Sequence, residues 1–252
     1  GRAGSLAVPV ASHGFESHQF VSVENLGDLA VMTMSIDAEY LTGEDAEARL
    51  ADLAWVAPRA IRHEELIRGA MIAGPVLPLP FGTLFSSLAV LEKQIREHHD
   101  SITDFLARVE GCVELGIRFS FDRAQALTCA YQQLQVDRPL PSGPGARYLA
   151  EKRLRDEAES TLNATVLEHC QHVIETLEPH TRGSVQRRAS GASSNGLETA
   201  AQFAVLVDSG SIQSPSEILD SLASDLETAG LHAEVTGPWA PYSFCPSLGD
   251  GQ

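Results

Sequence analysis

The side chains best suited to chemistry fall in three short clusters. His63-Glu64-Glu65-Leu66-Ile67 opens like a zinc-protease helix, a histidine followed by a glutamate. That chemistry needs a second histidine four residues on, so that both imidazoles share one face, and Ile67 holds that position. His98-His99-Asp100 brings two imidazoles together in sequence, but neighbours on a helix point about 100° apart and do not converge. His169 and His172 share a face, yet no carboxylate joins them locally to complete a ligand set.

Other chemistries fare no better. There is no G-x-S-x-G elbow, no Walker loop and no G-x-G-x-x-G turn. Gly143-Pro144-Gly145 precedes a helix, but Pro144 has no amide hydrogen to offer an anion. Acidic pairs such as Glu64-Glu65 and Glu157/Glu159 read as solvated helix faces. The four cysteines, Cys112, Cys129, Cys170 and Cys245, form no C-x-x-C pair and read as reduced thiols. No catalytic residue, metal site or cofactor is expected.

The bulk properties narrow the field in the same direction. The chain has 252 residues, room for two domains, and 43% of them are apolar. Its net charge of −16 repels phosphate backbones and anionic headgroups, so neither nucleic acid nor a lipid membrane is expected as a partner. Residues 1–12 lack the charged and apolar regions of a signal peptide, and no apolar run is long enough for a membrane span.

The hydrophobic periodicity outlines the elements. Leu6 to Val10 suggests a short strand. Gln19–Val23 and Leu29–Ser35 flank a turn at Asn25-Leu26-Gly27-Asp28, which predicts a hairpin. A helix is predicted from Thr42 to about Leu53, and a second from Pro58 to Ala73 with the proline in its first turn. Gly74 to Thr83 carries three prolines, which suit an extended edge segment and bar a central strand. From Leu88 to Val109 an apolar stripe predicts one long helix, or two joined near Asp100-Ser101. Then follow a strand at Val113–Phe121, a helix at Gln125–Gln135, a loop to Gly145, and a long helix from Ala146 to Leu177. A strand at Arg182–Arg188, a loop at Ala189–Gly196, a strand at Gln202–Val207, a helix from Ser214 to Gly230 and a strand at Leu231–Thr236 complete the chain.

That order predicts an α+β protein of two domains. The N-terminal α+β domain covers 1–110. The second, 111–237, is a modified ferredoxin-like antiparallel sheet with a long helix, and 238–252 form a tail. With no chemistry in view, the surfaces that remain are for binding. Val76, Leu77, Leu79 and Phe81 either offer an extended edge to a partner or, like most apolar runs, are buried in the core. Trp239, Tyr242 and Phe244 either lock the tail back onto the protein or form an aromatic hook.

Three stretches resemble signatures of the gas vesicle protein F/L family. These are GPVLPLPFGTLF at Gly74–Phe85, after a helix carrying Arg62-His63-Glu64; VELGIRFSFD at Val113–Asp122, with Gly145-Ala146-Arg147-Tyr148-Leu149 downstream; and TGPWAPYSF at Thr236–Phe244. Pro80 stands where that family usually has an arginine, and Leu115 where an aromatic is common. The resemblance implies a non-enzymatic accessory protein of gas vesicle assembly, located at the gas vesicle. Its implied partners are the small hydrophobic shell protein and other gas vesicle accessory proteins. The competing reading is a ligand-sensing or adaptor module built on a ferredoxin-like domain.

Overall fold

A computed structural model describes residues 1, 13–16, 19–37, 39, 41–43, 45–188, 196–211 and 213–248. The strand expected at Leu6–Val10 and most of the loop expected at Ala189–Gly196 lie outside the described residues. The chain divides into two compact units, Gly1–Val113 with Trp239–Gln252, and Glu114–Pro238.

In the first unit, β1 (Val21–Leu26) and β2 (Leu29–Met34) form the expected antiparallel hairpin, with Leu26 opposite Leu29. Gly27 closes its two-residue turn at φ 68°, a conformation glycine adopts without Cβ strain. The first helix is shorter than predicted: α1 spans Ala46–Ala51.

The second helix, α2 (Leu53–Ala73), starts five residues before the predicted Pro58. Asp52 supplies the start signal, its side chain accepting from the Ala54 amide at 2.9 Å. Pro58 therefore sits inside the helix and removes one backbone bond there. Residues 74–87 follow without regular structure, so the predicted edge segment forms no strand.

The stripe from Leu88 to Val109 is two helices, α3 (Leu88–Glu97) and α4 (His99–Arg108). Their joint is His98, at φ −112° and ψ 15°, rather than Asp100-Ser101. Ser87 caps α3, its hydroxyl accepting from the Val90 amide. Leu91, Ile102, Phe105, Leu106 and Val109 are buried, so most of the stripe faces inward, whereas Leu88 at its start is exposed.

The second unit holds β3 (Cys112–Phe121), α5 (Arg123–Asp137), α6 (Pro144–Leu177), β4 (Gly183–Arg187), β5 (Glu198–Asp208), α7 (Gln213–Thr228) and β6 (Leu231–Trp239). The strand order is β4-β5-β3-β6, and β4 pairs antiparallel with β5. Helix α6, 34 residues and about 51 Å long, packs on α5 and β5. Its inward seam is Leu154, Ala158, Leu162, Val166, Cys170, Val173 and Leu177, as the spacing predicts. Ala204 through Val207 are all buried, so neither face of β5 is open there. Phe119 on β3 meets Phe203 on β5 edge to face, centroids 6.0 Å apart.

Two local devices fix the helices of this unit. Asp122 caps α5 through the Gln125 amide at 2.9 Å. Gly230 ends the α7 connection at φ +72°, and a Cβ there would lie 2.9 Å from the Ala126 amide nitrogen. Only glycine supplies both the left-handed conformation and the close approach to α5.

Candidate functional site

One turn of α2 organises the first unit. Arg62, His63 and Glu64 are consecutive, so their side chains leave the helix about 100° apart and reach three different segments. The Arg62 guanidinium donates to the His13 carbonyl at 3.0 and 2.7 Å and to Glu65 at 2.9 Å. The His63 ring meets Phe81 edge to face at 5.8 Å, and Phe81 also contacts Phe15 at 5.4 Å. Glu64 accepts from the Tyr242 hydroxyl at 3.1 Å. Burial pushes the His63 imidazolium down from its usual pKa, which favours the neutral ring. One turn earlier, Arg59 pairs with Glu16 and lies over the Trp55 ring at 4.2 Å.

The C-terminal tail is tied to the same unit at further points. The Arg108 guanidinium donates to the Phe244 carbonyl at 2.8 Å. The Cys245 thiol reaches the Pro78 carbonyl at 3.5 Å, and Gln94 donates to the Leu248 carbonyl at 3.0 Å. The proline-rich segment and the aromatic tail, far apart in sequence, thus meet.

Beside this junction lies a cleft of about 590 Å³. The hairpin supplies Val31, Met32 and Met34; α2 supplies His63, Leu66 and Ile67. Val76, Leu77 and Leu79 form the wall between them, and α3 contributes Leu91, Gln94 and Ile95. Leu84, Leu88 and Val90 are exposed apolar residues of the same stretch, Leu84 and Leu88 lining the cleft. Two of the three methionines of the chain lie in its wall, and methionine adapts its shape to varied apolar surfaces.

The structure therefore separates the residues singled out as binding candidates. Val76, Leu77 and Leu79 line the cleft. Phe81 packs against Phe15 and His63. Tyr242 and Phe244 hold the tail through its hydroxyl and carbonyl respectively, and Trp239 is 38% exposed. Gln94, Arg108, Cys245 and Leu248 carry no local signal, because their partners lie over a hundred residues away.

The histidine clusters are engaged in other contacts, and a carboxylate does stand beside the second pair, since His172 Nδ1 lies 3.9 Å from Glu175 on the same helix. His99 bridges Asp28 at 2.8 Å and Asp100 at 3.4 Å. Its pKa is raised, chiefly by the Asp28 hydrogen bond and then by that of Asp100. His169 Nδ1 bonds the Thr165 carbonyl at 2.8 Å, so it carries the proton and donates. Among the described residues, no three His, Cys, Asp or Glu side chains are grouped to hold a metal ion.

The family profile described as gas vesicle synthesis protein GvpL/GvpF matches residues 3–246. The chain belongs to the GvpL/GvpF family. Gas vesicle protein L of a Streptomyces strain is 27% identical over 227 residues, covering 86% of this chain and 80% of that protein. The crystal structure of gas vesicle protein GvpF from Microcystis aeruginosa superposes with a TM-score of 0.63 at 15% identity, covering 93% of this chain and 92% of that one. GvpF from Anabaena sp. gives a TM-score of 0.64 at 17% identity, with 93% and 88% covered. These structures share the mixed helix-and-sheet fold. Membership of the GvpL/GvpF family places the protein in gas vesicle formation. Among the described residues, no helix is long and apolar enough to cross a membrane.

Proposed function

We propose that the protein is a non-enzymatic accessory of gas vesicle assembly, binding the small hydrophobic shell protein through its first unit. The observation that carries this reading is the apolar cleft beside the proline-rich segment, with exposed leucines at its edge. Such a surface suits an apolar partner, since contiguous exposed apolar area costs free energy until it is covered. The acidic charge of the chain disfavours lipid and nucleic acid as the occupant.

In this reading the chain has two α+β domains, one closing near residue 110 and the other running to 237. The order β4-β5-β3-β6, with helices between β3 and β4 and between β5 and β6, supports a modified ferredoxin-like second domain. Other gas vesicle accessory proteins are secondary partners, and the gas vesicle is the site of action.

Co-expression and pull-down with the shell protein test the reading. Retention of the shell protein is the expected result. No association, together with normal flotation of a strain lacking this protein, overturns it.

A further inference from the structure

Part of the cleft wall is supplied by the C-terminal tail itself. Leu248 lines the cleft beside Gln94, whose side-chain amide donates to the Leu248 carbonyl at 3.0 Å. Upstream the tail is anchored on three other elements, by Tyr242 on Glu64 of α2, by Arg108 of α4 on the Phe244 carbonyl, and by Cys245 on the Pro78 carbonyl. Ala240 and Pro241 are buried, whereas Ser247 is exposed. The tail thus has a firm root at 240–245, and beyond it Leu248 lies against the cleft.

We propose that residues 246–248 are a latch on the apolar cleft, autoinhibitory in effect, which an apolar partner displaces. This rests on reading the cleft as the shell-protein site. Leu248 occupies the place of one apolar side chain of the partner, and the Gln94 bond holds it there. One leucine and one amide hydrogen bond suit this task. They limit the apolar surface offered to other proteins, yet a partner presenting several apolar side chains outcompetes them. The root at 240–245 stays bound, so release of residues 246–248 needs no unfolding of the first unit.

The test uses the full-length chain and the dye anilinonaphthalene sulfonate as an apolar probe, so it needs no shell protein. Gln94→Ala should strengthen probe binding by about fivefold, the equivalent of one lost hydrogen bond, and Leu248→Ala, which keeps the carbonyl acceptor but removes the apolar side chain, should strengthen it as well. Melting temperatures should stay close to the parent. Equal probe binding by both latch variants and the parent overturns the proposal. If a variant fails to fold, amide exchange of the unaltered protein decides. Saturating probe should speed exchange of the Gln94 side-chain amide, which donates to the Leu248 carbonyl, and leave the backbone amides of Tyr242, Phe244 and Cys245 unchanged, and equal exchange with and without probe overturns the latch. A shell protein that ignores even the unlatched variants overturns the shell-binding reading instead.

Discussion

The Tyr242 hydroxyl donates to the Glu64 carboxylate across 3.1 Å, joining residues 178 positions apart. It fixes the tail to the helical turn that also holds Phe81 and the His13 backbone. Tyr242→Phe removes the donor, leaves the ring, and should cost about 1 kcal/mol, since this hydrogen bond to a carboxylate is only half-buried. Glu64→Gln keeps an acceptor and should cost less. Thermal unfolding followed by far-ultraviolet circular dichroism measures both, and an unchanged midpoint for Tyr242→Phe would place the anchor of the tail elsewhere.

On the proposed shell-protein reading, Leu79→Asp should weaken that association by about tenfold or more, since burying a leucine contributes about 1.5–3 kcal/mol. Leu79 is half-buried in the cleft wall, so the fold should survive the charge. Binding is read by titration and folding by the melting curve. A variant that unfolds would show that Leu79 is core.

The His99–Asp28 bridge ties the hairpin turn to the start of α4 and should make stability depend on pH. The pKa of His99 is raised in the folded protein, so its contribution is fully present below the ordinary value of 6.5. It fades as pH rises through the raised folded value. At the acid end the Asp28 carboxyl is held below its usual 3.8 by the same bond, so its contribution is lost as pH falls through that lowered value. The melting temperature gap between parent and His99→Gln should therefore be widest from about pH 5 to 6 and close on the alkaline side. A gap independent of pH would refute the bridge.

Burial pushes the Cys170 thiol up to about 12, and its side chain is enclosed in the seam of α6. Little thiolate exists at pH 8, so Cys170 should resist iodoacetamide in the native protein and react only after unfolding. Cys129 and Cys245 are half-buried and should react first. Mass spectrometry of labelled peptides reads the order, and early labelling of Cys170 would contradict its place in the core.

Gly230→Ala should destabilise the protein by about 2 kcal/mol or more, because the left-handed backbone and the contact with Ala126 penalise any Cβ. Urea unfolding should show a lower midpoint at unchanged slope. A parent-like midpoint would mean that the α7 connection can move away from α5 at little cost.

Local pattern made much of the fold legible. The Gly27 turn, the buried part of the α3 and α4 stripe and the seam of α6 follow from spacing alone. The errors fall at boundaries, where tertiary context competes with local signals. Pro58 resembled a helix start, but the Asp52 cap begins α2 earlier. The break at His98 carries no glycine or proline to mark it. For the candidate site, the apolar run Val76–Phe81 was visible, but whether it lines a cleft or fills a core depends on what packs against it.

The sequence by itself determined the periodic elements, the acidic surface and the failure of the local metal and nucleophile motifs, because these depend on composition and short-range spacing. Its three signature stretches also pointed to the GvpL/GvpF family, whose profile matches residues 3–246. Only the tertiary structure decided that Arg62, His63 and Glu64 reach three separate segments, and that Pro78 meets Cys245 and Gln94 meets Leu248. The physical reason is distance along the chain. A hydrogen bond across 154 positions leaves no period in either partner, and forms only when independently specified elements bury their apolar faces together.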